Sequence, residues 1–268
     1  MANEIVGFYL TGTSTTSFVD IGQASAPTAA LKDGDASNLV TINMPRQNMF
    51  WLQDEVQAVQ IGTSTTKTKT KHTSAYNYEN WKFPAIFDTG TTMIYAPAGL
   101  GHELLLRLAR GKKYLFDKSS GMMVVDCTTK AKFEDIYLTI QGNQYSILVE
   151  DYWFEVQPEN YWEDPSCFIG IIQERTINYW LLGDVFLRGY YTVWDNNDAT
   201  AASMKFAPHA TSSKPKVIEN IAIPVANVED VLWELTWFYD AYFFNITGAL
   251  ESTLKSFANL WIFWFGLV

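Results

Sequence analysis

The chain has 268 residues, of which 48% are hydrophobic and 18% charged, enough to bury a sizeable core and too apolar for a disordered segment. A formal net charge of -10 argues against nucleic acid as a partner, because nothing here would neutralise a phosphate backbone. Three scattered histidines, His72, His102 and His209, have no metal-ligand spacing, so neither a metal nor a cofactor is expected; the two cysteines permit one disulfide or two buried thiols.

In chain order, residues 5–10 and 17–22 are short runs with apolar and β-branched residues, separated by a turn-prone stretch, and read as a hairpin. Residues 24–38, rich in Ala, Gly, Asp and Pro, read as a loop, and 39–44 and 49–62 as two further strands. Residues 63–74 are almost entirely Thr, Ser and Lys, with nothing apolar to bury, so a surface loop is predicted. A helix over 98–111 is predicted from Leu104, Leu105 and Leu108 at helical spacing and a stop at Gly111. Strands follow at 124–127, 136–140 and 145–149, with a hairpin turn at 141–144, and then a surface loop dense in Trp, Tyr and acids at 151–164. Residues 211–216 read as a linker. Beyond it, apolar residues at helical spacing over 227–246, started by Asn227, predict a helix, and 252–267 suggests a second.

One stretch carries chemistry. Ala85-Ile86-Phe87 delivers a single carboxylate, Asp88, into the small-residue turn Thr89-Gly90-Thr91-Thr92, and apolar sequence resumes at Met93-Ile94. An acid so flanked is expected to be largely desolvated and to need donors. Gly90 would let the backbone turn so that its amide faces the carboxylate, and the threonine hydroxyls would donate to it or lock the loop. The product is a rigid acid suited to acid–base catalysis or, on the plainer reading, a buried Asp capping a turn.

With its neighbours, Phe87-Asp88-Thr89-Gly90-Thr91-Thr92 resembles the second active-site motif of the pepsin-like aspartic peptidases. Trp180 to Arg188, with Leu182 and Gly183, resembles the family's hydrophobic-hydrophobic-glycine segment, which passes through the active-site loop. Tyr190 to Asp195 resembles its closing strand and Met204 to Pro208 its usual end, so the likeness runs from residue 5 to about 208. It implies a mainly β fold: a single pepsin-like lobe of antiparallel sheets with few short helices over 1–210, a linker at 211–216 and an aromatic, helical interaction tail at 217–268. It further implies a disulfide between Cys127 and Cys167, and with it an oxidising compartment of secretory, lysosome-like or extracellular kind.

The matched segments are those of the family's C-terminal lobe, so the chain is expected to begin after the N-terminal lobe has ended. Such enzymes work with two carboxylates sharing a proton, and this chain has one Asp-Thr-Gly; Asp20, Asp33, Asp35 and Asp184 are not followed by Thr-Gly or Ser-Gly. The resemblance makes Asp88 the catalytic residue, with Gly90 and Thr91 holding its carboxylate, Thr89 packing the loop, Leu182 and Gly183 beneath it, and Phe50, Ile86 and Thr92 toward substrate. The adjacent Trp51 reads equally as a residue packed in the sheet. The favoured function is half of an aspartic endopeptidase, inactive as an isolated monomer and completed by a complementary N-terminal lobe. The alternative is a retired peptidase lobe serving as a structural subunit of a larger, membrane-associated complex. Pairing of two copies is disfavoured, since insertions such as 63–74 would crowd a self-complementary interface. Trp233, Trp237, Phe238, Trp261 and Trp264 of the tail are expected to contact a partner chain or a membrane surface, or to fold back as a hairpin. The final apolar run, from Phe257, is short of the roughly 20 residues that span a bilayer. A glycosylation sequon stands at Asn245-Ile246-Thr247.

Overall fold

A computed structural model of the chain describes residues 4–11, 17–22, 27–44, 51–62, 74–76, 83–97, 99–117, 120–158, 165–174, 176–197 and 202–221. The expectations placed on Phe50, on 63–73, and on Trp233, Trp237, Phe238, Asn245, Trp261 and Trp264 lie outside the described residues.

The described part is mainly β, with three sheets and few short helices. The strands are β1 (Ile5–Tyr9), β2 (Phe18–Ile21), β3 (Val40–Met44), β4 (Leu52–Ile61), β5 (Ser74–Tyr76), β6 (Phe83–Phe87) and β7 (Ile94–Ala96). Helix α1 (Leu100–Leu108) precedes β8 (Tyr114–Phe116), β9 (Met123–Val125), β10 (Ile136–Ile140) and β11 (Asn143–Ile147). After α2 (Val149–Tyr152) come β12 (Trp153–Val156), β13 (Ser166–Ile169), β14 (Ile171–Gln173) and β15 (Trp180–Leu182), then α3 (Asp184–Leu187), β16 (Tyr190–Asp195) and β17 (Ala202–Pro208).

The first sheet runs β2-β1-β16-β17-β3, antiparallel throughout. Period-two alternation in β1 buries Ile5 and Tyr9 on one face and presents Val6 and Phe8, half-buried, on the other. Gly7 between them is required by a close approach. The Tyr191 hydroxyl crosses β1 there to donate to Asp20 on β2 at 2.8 Å, and a Cβ at residue 7 would sit 2.2 Å from it. Gly7→Ala is therefore expected to cost about 1–3 kcal/mol, the usual price of overpacking, and to loosen β2, measured by denaturant unfolding and amide exchange of residues 18–21.

The second sheet runs β11-β10-β4-β6-β15-β7-β14, with β5 on β4. Its β10–β11 hairpin turns on two residues, Gln141 and Gly142, both with positive φ, as a two-residue loop compatible with strand twist requires. The core beneath gathers Phe87, Tyr145, Phe186, Tyr190 and Phe206, whose ring centroids lie 5.4 to 6.2 Å apart in tilted and edge-on pairs. Leu104, Leu105 and Leu108 of α1 are buried, as their spacing predicts.

The third sheet, β12-β13-β9-β8, is pinned by a disulfide between Cys127 and Cys167, 40 residues apart in sequence. Replacing both cysteines by Ser is expected to cost about 2–4 kcal/mol, chiefly by freeing the unfolded chain, read as a fall in denaturant midpoint.

Three segments differ from their sequence reading. Residues 28–38 fold as three short 3-10 turns around a buried Leu31, not as an open loop. The surface loop predicted at 151–164 instead begins with α2 and β12: Asp151, Tyr152 and Trp153 are buried, with Tyr152 donating to the Glu134 carbonyl at 2.7 Å and Trp153 meeting Phe133 edge to face. Residues 211–216, of linker composition, lie against the lobe, with Lys214 only 1% exposed.

Candidate active site

β6 carries Ile86 and Phe87 on opposite faces, so Phe87 enters the core while Ile86 stands at a cavity of about 690 Å³. Asp88 follows at the end of the strand. It is half-buried and opens into that cavity, so it keeps more contact with solvent than its apolar flanks suggest. Each carboxylate oxygen has one donor: the Gly90 amide reaches Oδ1 at 2.8 Å and the Thr91 hydroxyl reaches Oδ2 at 2.5 Å. The turn closes with Thr91 N–H donating to the Asp88 carbonyl at 3.3 Å. Gly90 is not in a left-handed conformation; the demand there is for space, since a Cβ would lie 3.1 Å from Asp88 Oδ1.

A second segment threads beneath this turn. β15 inserts between β6 and β7, parallel to the first and antiparallel to the second, so Leu182 lies beside both ends of the Asp88 loop. The Leu182 carbonyl accepts from Asp88 N–H at 3.1 Å, and the amides of Asp184 and Val185 donate to the carbonyls of Thr91 at 2.7 Å and Thr92 at 3.0 Å. At Gly183 the two chains nearly touch: a Cβ would sit 2.3 Å from the Thr91 carbonyl oxygen and 2.5 Å from that of Met93. Backbone cannot yield as a flexible side chain does. Gly183→Ala is accordingly expected to cost about 3 kcal/mol, the upper end of overpacking, with amide exchange at 88–92 rising more than elsewhere.

Of the residues named from sequence, Asp88, Gly90, Thr91, Leu182 and Gly183 come together in this turn. Ile86 lines the cavity; Thr92 is exposed. Thr89, expected to pack the loop, is instead exposed at the cavity edge. Asp184 stands apart from the carboxylate site: it pairs with Arg188 at 3.4 Å, and burial pushes its carboxyl up. The cavity walls were not apparent from sequence as a group. Val6, Phe8, Trp51, Leu181 and Trp194 converge there from four separate stretches, Trp194 meeting Trp51 at 4.9 Å and Phe8 at 5.6 Å between centroids. The available signal was that β1 carries apolar residues at both alternating sets of positions, Ile5 and Tyr9 on one face and Val6 and Phe8 on the other, so both faces need cover. Glu4 also lines the cavity, its carboxylate held by the Asn196 side chain at 2.7 Å. Among the described residues no group of three or more His, Cys, Asp or Glu is placed to hold a metal.

Comparison with known proteins agrees with this geometry. Pepsin-3 of Oryctolagus cuniculus is 31% identical over 115 residues, covering 41% of this chain and 27% of that protein. An acid protease of Saccharomycopsis fibuligera is 28% identical over 155 residues, covering 57% and 33% respectively, and vacuolar protease A of Neurospora crassa is 31% identical over 111 residues, covering 41% and 26%. The chain thus matches about a quarter to a third of the length of these relatives. The family model for eukaryotic aspartyl protease matches residues 4–208, a span that takes in the Asp88 turn, the β15 thread and the disulfide, and the chain belongs to that family.

Proposed function

We propose that this lobe supplies one of the two catalytic carboxylates of an aspartic endopeptidase, Asp88, and that a complementary lobe supplies the other. The observation that carries this reading is the placement of Asp88. Asp35 and Asp126, which cap turns at the surface, take both of their donors on one oxygen, whereas Asp88 is fixed by one donor on each oxygen and faces an open, largely apolar cavity. Gly90 and Thr91 set the plane of the carboxylate and leave it further lone pairs, which a bound water and a second carboxylate would use. With the two acids sharing one proton, the ionised member draws a proton from the water as it attacks the scissile carbonyl, and the protonated member donates to the carbonyl oxygen. Val6, Ile86, Leu181 and the Trp51–Trp194 pair would exclude bulk water and hold apolar substrate side chains.

The exposed edge of the first sheet supports a second lobe as partner. β2 leaves Phe18, Val19 and Ile21 at 40%, 51% and 80% exposure, an apolar sheet edge of the kind that pairs with another segment. The disulfide fits a protein matured in an oxidising compartment.

The test is hydrolysis of a denatured protein at about pH 4, where paired carboxylates of this kind share a proton, by the chain alone and after addition of a complementary pepsin-type N-terminal lobe. Turnover that needs both lobes and is blocked by a pepstatin-type inhibitor is expected. Turnover by the monomeric chain would overturn the half-site reading, and a stoichiometric complex without turnover would favour the structural-subunit reading.

A further inference from the structure

Residues 209–221 follow the last strand and lie beyond the span that matches the family, yet three kinds of anchor tie them to the lobe. At the start, His209 is buried at 4% exposure, its ring 4.6 Å from that of Tyr9 and its Nδ1 3.3 Å from the Thr211 hydroxyl. In the middle, Lys214 fills a slot left by Gly189, where a Cβ would lie 2.5 Å from Lys214 Cε. Its ammonium donates to Asp151 Oδ2 at 2.5 Å and to the Ser146 carbonyl at 2.8 Å, and stands 4.6 Å from the centre of the Tyr190 ring. Lys32 holds the same stretch from outside, donating to the carbonyls of Ser212 at 3.0 Å and Lys214 at 2.8 Å. At the end, Ile218 and Gln144 exchange both backbone hydrogen bonds, at 2.8 and 3.3 Å, and Ile221 donates to the Gly142 carbonyl at 2.9 Å, covering the edge strand β11.

We propose that residues 209–221 are an acid-released strap, closed over the β11 edge while His209 is neutral and freed when His209 takes up a proton beside the buried Lys214. The charges around it dictate this. Among the described residues, Lys214 already engages the one carboxylate in ion-pair distance, Asp151, leaving no such partner for a second buried cation. Asp135 accepts from Val149 N–H at 3.0 Å, Arg188 pairs with Asp184, and Lys216 lies 3.9 Å from the exposed Asp33 and Asp35. The Tyr9 ring lies against His209 and the Tyr190 ring against the Lys214 ammonium, and neither supplies a carboxylate.

Burial holds His209 below its ordinary value of 6.5, and Lys214 pushes in the same direction, against hydrogen bonds at the Leu10 and His209 backbone and the charge of Asp151. A released strap returns His209 to about 6.5, so between the two values the open form alone binds the proton. Closure is thus fully stable above that range and weakens as pH falls through it. Lys214 is held below its ordinary value of 10.5 chiefly by desolvation, and its own linkage falls between that lowered value and 10.5, apart from the His209 range. Asp135 is raised chiefly by desolvation, while Lys214, its one neighbour on the strap, pulls it down.

Hydrogen–deuterium exchange of the full chain tests this. After correction for the intrinsic rate, exchange of 209–221 is expected to rise by up to about tenfold per pH unit below 6.5, the limit for one linked proton, while β4 and β10 stay unchanged. His209→Gln, neutral at every pH, is expected to flatten the response. A pH-independent wild-type strap, or an undiminished response in His209→Gln, overturns the proposal. Because that variant could also lose packing, the imidazole titration of the unmodified protein followed by NMR is a second criterion, and a midpoint at or above 6.5 overturns the proposal equally.

Discussion

Asp88→Asn is expected to lower the turnover of the assembled peptidase by at least about 10²–10⁴-fold, the range that positioned acid–base groups contribute, while leaving the lobe folded. The substitution is nearly isosteric, and the turn accommodates it. The asparagine oxygen takes the place of Oδ1 and still accepts from the Gly90 amide, while its NH₂ takes the place of Oδ2 and faces the Thr91 hydroxyl, which rotates to accept where it formerly donated. The Asp184 and Val185 amides that clamp the loop from below bond to the backbone of Thr91 and Thr92 and do not sense the change. What is lost is a group that shares a proton with a second carboxylate. Measuring kcat beside the thermal midpoint separates the two roles: a structural Asp88 would lower both, a catalytic one only the first. Retention of full turnover by the variant would remove Asp88 from the chemistry.

The Asp88 turn was legible in the sequence because everything that shapes it is local. Gly90 and Thr91 lie two and three residues from the acid they hold, so a short string specifies the geometry. Gly183 was legible only through resemblance. Its necessity comes from carbonyls of Thr91 and Met93 some ninety residues earlier in the chain, and a glycine between Leu182 and Asp184 carries no mark of that approach. The third sheet was harder to see, since β8, β9, β12 and β13 are strands of three or four residues, too short for alternation to show. Residues 151–156 and 211–216 misled for one shared reason. Each looks solvent-seeking by itself, one through its acids and the other through Ser, Lys and Pro, because the charges that neutralise each other, Asp151 and Lys214, stand 63 positions apart. Composition records the charge of each segment and not the contact that lets both be buried.

That pair supplies the second large effect. Lys214→Met is expected to destabilise the lobe by about 3–5 kcal/mol, the cost of leaving one member of a buried ion pair unpaired. Methionine can occupy the slot beside Gly189 that the lysine stem fills, so lost packing contributes little. The penalty lies in Asp151, which keeps a hydrogen bond from Leu148 N–H at 2.8 Å but loses its cation, and in the Ser146 carbonyl, which loses one of its donors. Adding Asp151→Asn removes the stranded charge while an amide oxygen still accepts from Leu148, so the double variant is expected to recover more than half of the loss. Lys216→Met is the control: its ammonium is 3.9 Å from Asp33 and Asp35 in an exposed setting, and its removal is expected to cost under about 0.5 kcal/mol. Denaturant unfolding of the wild type, Lys214→Met, Asp151→Asn and the double variant closes the cycle, with Lys216→Met measured beside them. If Lys214→Met proved no more costly than Lys216→Met, the ion pair would not be what holds this segment, and the packing of His209 on Tyr9, the Lys32 bonds to the Ser212 and Lys214 carbonyls and the backbone bonds of Ile218 and Ile221 would have to hold it.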